Sequence, residues 1–206
     1  MYGVVSLLDN KHYQLVKDLW TDLAREFAAS GVYVPSYPHI SYQVTNRYPV
    51  KSLEPVLRRF AASKTSFQVR AGGLGIFTGT HPVLTIPVVR SPELMQFHEA
   101  LWQEISSTGS GIEDYYHPSR WMPHITIGIG DINKDNLSGI IRFLAERDFN
   151  WEINIDNIGL VYGSILFPLV GTKISIFSFL GKCKNRELYL PTANYNSPQE
   201  LGTGTS

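Results

Sequence analysis

Apolar positions along the chain follow two rhythms. After Asn10, the residues Leu15, Val16, Leu19, Trp20, Leu23 and Phe27 recur at three- and four-residue steps, and Gly31 supplies a stop. Leu53, Val56, Leu57 and Phe60 form a second, shorter helical stripe. A third opens with Ser91 as N-cap and Pro92 at the first helical position, then turns Leu94, Phe97, Leu101, Trp102 and Ile105 inward. A fourth follows Asn133 through Leu137, Ile140, Ile141 and Leu144. Between them "YGVVSLL", "HISYQV", "SFQVRA", "VLTIPVV", "HITIGI", "WEINI", "IGLVYG" and "KISIFSF" read as strands. The run from Asn157 to Gly181 is apolar over about the length of a membrane span. Pro168, Gly171, Thr172 and Lys173 interrupt it, so two strands joined by a loop are expected there. Residues 191–206 carry little apolar content and read as a loose tail after one domain over 1–190.

One strand carries an unusual pairing of residues. "WMPHITIGIG" places His124 and Thr126 in an apolar run behind Pro123, and "PHISYQ" repeats the motif at Pro38, His39 and Ser41. A shuffled chain of this composition would contain about 0.004 such matches. What trails each motif is also parallel. Phe60 and Phe143 lie 21 and 19 residues past their histidines, Gly75 and Gly159 lie 36 and 35 past, and "VLTIPVV" and "KISIFSF" follow. Two similar halves are the economical reading, and packing about a pseudo-twofold axis would let the motifs face each other. Side chains alternate along a strand, so His39 and Ser41 share one face, as do His124 and Thr126.

Composition sharpens this. The 206 residues are 43% hydrophobic and 17% charged, which fits a soluble globular protein with a packed core. Lys plus Arg and Asp plus Glu number 18 each, so a surface built to grip long duplex nucleic acid is not expected. Cys183 is the single cysteine, excluding an intramolecular disulfide and a cysteine-based zinc cluster. The N-terminal stretch lacks the basic start of a signal peptide. A cytoplasmic monomer acting on a small nucleotide or RNA end, with no membrane partner, is the expectation.

Two histidines across a cleft suit in-line displacement at phosphorus. One neutral imidazole takes a proton from the attacking oxygen while an imidazolium donates to the leaving oxygen. Ser41 and Thr126 hydroxyls would hydrogen-bond the non-bridging oxygens, and no cofactor or metal is required. With the motifs 85 residues apart on strands, the chain resembles the 2H phosphoesterases, the superfamily of 2′,5′ RNA ligase-like proteins and cyclic phosphodiesterases. "GLGIF" (Gly73 to Phe77) looks like a strand and turn that follows the first motif there, and "HPSRWMPHITIG" resembles the approach to the second. The resemblance implies an α+β fold with two pseudo-symmetric lobes, each an antiparallel sheet with flanking helices, around a central cleft. It also implies hydrolysis of 2′,5′ linkages or cyclic phosphates, with His39 and His124 as acid–base pair and Ser41 and Thr126 on the phosphate. Serine in the first motif, where threonine is more usual, loses the stiff χ1 of a β-branched side chain. Which histidine is base and which acid stays open.

Other candidates carry alternatives. His117, Arg120 and Trp121, just before the second motif, are placed either at the cleft rim or against their own lobe. At the rim, Arg120 would contact phosphate and Trp121 would stack a base. Tyr33 and Tyr37, before the first motif, carry the same two readings. His98 reads as core packing, His81 as a solvated turn residue and His12 as surface. "AGGLGIFTG" lacks the order of a phosphate-binding loop and reads as a bulge or bend. A zinc site would need His117 as a third ligand. A nucleotide-binding module without turnover and an RNA 2′,5′ ligase remain alternative functions.

Overall fold

A computed structural model describes residues 1–29, 31, 37–162 and 173–180. Tyr33, Cys183, the middle of the long apolar run and the C-terminal stretch lie outside the described residues. The elements follow as β1 (Tyr2–Leu7), α1 (Asn10–Phe27), β2 (His39–Arg47), α2 (Val50–Ala62), β3 (Phe67–Ala71), β4 (Gly75–Phe77) and β5 (Val83–Pro87). Then come α3 (Pro92–Ile105), β6 (Ser110–Ile112), a 3₁₀ turn (Asp114–Tyr116), β7 (His124–Gly128), α4 (Leu137–Ala145), β8 (Trp151–Ile155), β9 (Asn157–Tyr162) and β10 (Lys173–Ser178). The fold is α+β. Among the described residues no helix is long and apolar enough to cross a membrane.

Local chemistry explains most boundaries. The Asp9 side chain caps α1 by accepting from the His12 amide, and Ser91 caps α3 by accepting from that of Leu94. α1 ends at Ala28, which takes a left-handed φ of 53°, and not at Gly31. Gly31 serves a close approach instead: a Cβ there would sit 1.9 Å from the Ile129 carbonyl oxygen. His12, expected at the surface, is buried. Its Nδ1 lies 2.8 Å from the Asp9 carboxylate and its ring packs on Trp151, partners that sequence distance hides.

Eight strands form one sheet in the order β10-β9-β1-β2-β7-β5-β4, with β6 also on β2, and β3 pairs β8 in a separate ribbon. The strands of the two halves are continuous through a single pair, Ile40 with Ile125. β1-α1-β2-α2-β3-β4 repeats as β5-α3-β7-α4-β8-β9, but the last strands are exchanged. β4 pairs β5 of the second half, and β9 pairs β1 of the first. β5 thus takes the place in the sheet that β1 holds in the other half, so "VLTIPVV" and "KISIFSF" match locally but not by position. Helices cross over likewise, α1 packing on β7 and α3 on β2.

Register repeats to the residue. His39, Ile40 and Ser41 face Leu7, Ser6 and Val5, while His124, Ile125 and Thr126 face Pro87, Ile86 and Thr85. Gly159 lies beyond Val5 and Gly75 beyond Thr85. Each pairing then slips by one, leaving Tyr42 and Ile127 as extra residues, the signature of a β-bulge. The slip breaks the alternation, so Tyr42 with Gln43, and Ile127 with Gly128, are buried in succession. The core on that side is continuous. Phe97 of α3 meets the rings of Tyr42, Phe60, Phe67 and Phe179 at 5.2 to 5.6 Å.

His98 is fully buried and its Nε2 lies 2.9 Å from the Tyr42 carbonyl. Burial pulls its pKa down to about 4, a fall that the bond to Tyr42 only partly opposes. The unfolded chain binds this proton near pH 6.5 and the folded chain does not, so stability falls as pH drops from 6.5 toward 4. At about 1.4 kcal/mol per pH unit, the full effect is about 3 kcal/mol. Urea titrations at pH 7 and pH 5 should show about 2 kcal/mol of this loss in the wild type and a visibly smaller one in His98→Gln. An equal loss in both would remove His98 as the cause.

Candidate active site

His39 opens β2 and His124 opens β7, each directly behind a proline that has no N–H to give a ladder. Each imidazole leans back on its own chain. His39 Nδ1 lies 2.5 Å from the Tyr37 carbonyl oxygen, and His124 Nδ1 lies 2.7 Å from that of Met122. A carbonyl only accepts, so each Nδ1 carries the hydrogen and each Nε2 is the nitrogen that gains and loses a proton. The repeat therefore extends from backbone register to tautomer.

The Ile40–Ile125 pair sets the four motif side chains together. Antiparallel register at that pair sets His39 toward Thr126 and Ser41 toward His124. All four are half-buried on one face, while Ile40 and Ile125 are fully buried on the other. Burial lowers the pKa of both histidines below 6.5. The backbone bonds at Tyr37 and Met122 oppose that fall, and His39 is lowered further by the charge of His124. One proton on the pair thus discourages a second, which favours one imidazole beside one imidazolium. The Phe77 ring stands edge-on to His124 at 4.9 Å.

The surroundings of the hydroxyls differ. Tyr116, on the 3₁₀ turn that packs against β2, has its phenol near the Ser41 hydroxyl, and burial raises the pKa of that phenol. Thr126 has Thr85 as its cross-strand neighbour, and Thr85 is buried. Leu7 and Val5 flank His39 and Ser41 in an apolar cluster with Tyr37 and Val161. The face is therefore more apolar on the His39 side than on the His124 side, where Pro87 and Thr85 hold the matching places.

Not all candidates gather here. Trp121 is 1% exposed and its indole N–H donates to the Ser41 carbonyl at 2.9 Å, so it packs in the core and offers no face to a base. Tyr37 is buried and contributes its carbonyl to His39. His117 is exposed, with Nδ1 2.8 Å from the Ser119 hydroxyl and its ring against Trp102. Arg120 is exposed and pairs with Asp114, an arrangement that holds a guanidinium weakly. The sequence pattern does not single out Tyr116 and Phe77. Both lie in stretches, "YYHPSRW" and "GLGIF", that drew attention for other residues, and only tertiary packing singles them out.

The chain is similar to known proteins in sequence and in fold. The sequence model of the 2′-5′ RNA ligase superfamily matches residues 13–164. Among solved structures, the protein TT0787 of Thermus thermophilus shares the fold at a TM-score of 0.58 and 16% identity, covering 88% of this chain and 99% of its own. A protein described as a phosphoesterase aligns at a TM-score of 0.52 and 11% identity, covering 87% and 97%. No curated protein matches.

Nitrogen chemical shifts should report both His39 and His124 as Nδ1–H tautomers that protonate at Nε2. Removing the second charge in His124→Ala should raise the pKa of His39. A fall, or an Nε2–H tautomer at either residue, would break the proposed electrostatics.

Proposed function

The chain belongs to the 2′-5′ RNA ligase superfamily, and we propose that it is a metal-independent phosphodiesterase acting on 2′,5′-phosphodiester or cyclic phosphate bonds in small RNA-like or nucleotide substrates. One observation carries the reading. Two imidazoles with the same Nδ1 anchor stand on one face, each set toward the other motif's hydroxyl.

The chemistry follows from that placement. A neutral imidazole takes the proton of the attacking water or hydroxyl at Nε2, and the imidazolium gives its Nε2 proton to the departing oxygen. Because both Nδ1–H groups are already bonded to carbonyls, neither ring has to turn or change tautomer between the two duties. Ser41 and Thr126 hydroxyls donate to the non-bridging oxygens, on which negative charge builds in the transition state. For 2′,5′ ligation by the same groups, a 5′-hydroxyl attacks the phosphorus of a 2′,3′-cyclic phosphate, one histidine takes its proton, and the 3′-oxygen leaves with a proton from the other. A formal net charge of zero fits a small substrate or an RNA end better than a long duplex.

Hydrolysis of a panel of 2′,3′-cyclic nucleotides and 2′,5′-linked dinucleotides should persist in EDTA. His39→Ala and His124→Ala should each lose about 10²- to 10⁴-fold in kcat, the range of general acid–base catalysis. Wild-type rates in both variants would refute the assignment. Tight nucleotide binding with no turnover would make the protein a binding module.

The pH profile has a stated sign. Both histidines of the free protein sit below 6.5, so the bell of kcat/KM should centre on the acid side of neutrality. A bound phosphate favours the imidazolium, so the alkaline limb of kcat should lie above that of kcat/KM. A kcat/KM maximum above about pH 7.5 would contradict this.

A further inference from the structure

We propose that His98 and Trp121 form a bracket that positions Ser41 through the backbone of β2. The inference rests on the reading of Ser41 as a phosphate contact. β2 needs such support at this point. It pairs β7 only at Ile40, meets β6 only from Thr45, and loses Tyr42 from the β1 ladder at the bulge. Side chains and one loop amide take over. Trp121 Nε1 donates to the Ser41 carbonyl, His98 Nε2 to the Tyr42 carbonyl and the Glu113 amide to the Val44 carbonyl, each at 2.9 Å. The His98 and Trp121 rings pack together with centroids 3.9 Å apart, and both are buried. Behind them the Tyr42 hydroxyl donates to Ser6, which donates to the Asn157 carbonyl.

Among the described residues, the matching places behind the second motif are apolar. Counting from the N-caps Asp9 and Ser91, the α1 residue equivalent to His98 is Val16. Tyr42 and Ser6 correspond by register to Ile127 and Ile86. All three counterparts are apolar and fully buried. Thr126 restricts its own hydroxyl through a β-branched side chain, and Ser41 does not. The polar bracket stands behind the motif whose hydroxyl is less constrained.

Trp121→Phe removes the indole donor and keeps an aromatic ring against His98. Backbone ¹⁵N order parameters should fall at Ser41 and Tyr42 and hold at Thr126 and Ile127. Hydrolysis of a 2′,3′-cyclic nucleotide should lose about 10-fold in kcat/KM, chiefly in kcat, since small misplacements of a reacting group are costly. That loss should vanish in a Ser41→Ala background and persist in Thr126→Ala. His98→Gln, which loses the ring packed on Trp121, should show the same coupling and serves if Trp121→Phe fails to fold. Unchanged order parameters at Ser41, equal loosening at Thr126, or full additivity with Ser41→Ala would overturn the bracket. An inert wild type would sink the proposed function instead, and the order parameters would still decide on the bracket.

Discussion

The interaction on which the site depends is the bond from each motif histidine's Nδ1–H to the carbonyl two residues behind it. It is local, and the sequence Pro-His builds it. Proline holds its own φ near about −65° and biases the residue before it toward extended backbone, which directs that carbonyl at the ring. Proline also has no N–H to offer the ladder at the strand's first position. The result is an imidazole whose outward nitrogen is Nε2 at both Tyr37–His39 and Met122–His124. A histidine held only by packing could present either nitrogen.

Around that bond the two halves agree in geometry and differ in chemistry. The bulges at Tyr42 and Ile127 turn the strands at matching points, and the exchange of β4 and β9 ties each half into the other's sheet. The motifs therefore cannot drift apart without breaking pairs in both halves. Yet one motif strand is backed by Ser6, Tyr42, His98 and Trp121, the other by Ile86, Ile127 and Val16. Apolar residues flank His39 where Pro87 and Thr85 flank His124. Such asymmetry gives the two histidines of a pseudo-symmetric site unlike surroundings.

Much of this was legible in the sequence because its causes are local. Helical stripes, strand alternation and the Ser91-Pro92 start are set within a few residues, and each has its element in the fold. The repeated Pro-His-Ile-Ser/Thr motif located the candidate site. What stayed hidden depends on distant partners. β4 and β6 have three residues each, too few for a periodic signal. The bulges are properties of register, and the strand exchange is a property of topology. His12 looks like a surface residue until Asp9 and Trp151 close over it, and Trp121 fits either a stacking platform or lobe packing until its indole is found on the Ser41 carbonyl.

The central claim is that two histidines with fixed tautomers address one phosphorus from opposite sides. A crystal structure with a nucleoside and vanadate, which mimics a five-coordinate phosphorus, tests it most directly. The account predicts His39 Nε2 and His124 Nε2 within hydrogen-bond distance of the two apical oxygens, with the Ser41 and Thr126 hydroxyls on equatorial ones. Vanadate bound by only one of the histidines, or bound away from β2 and β7, would contradict it.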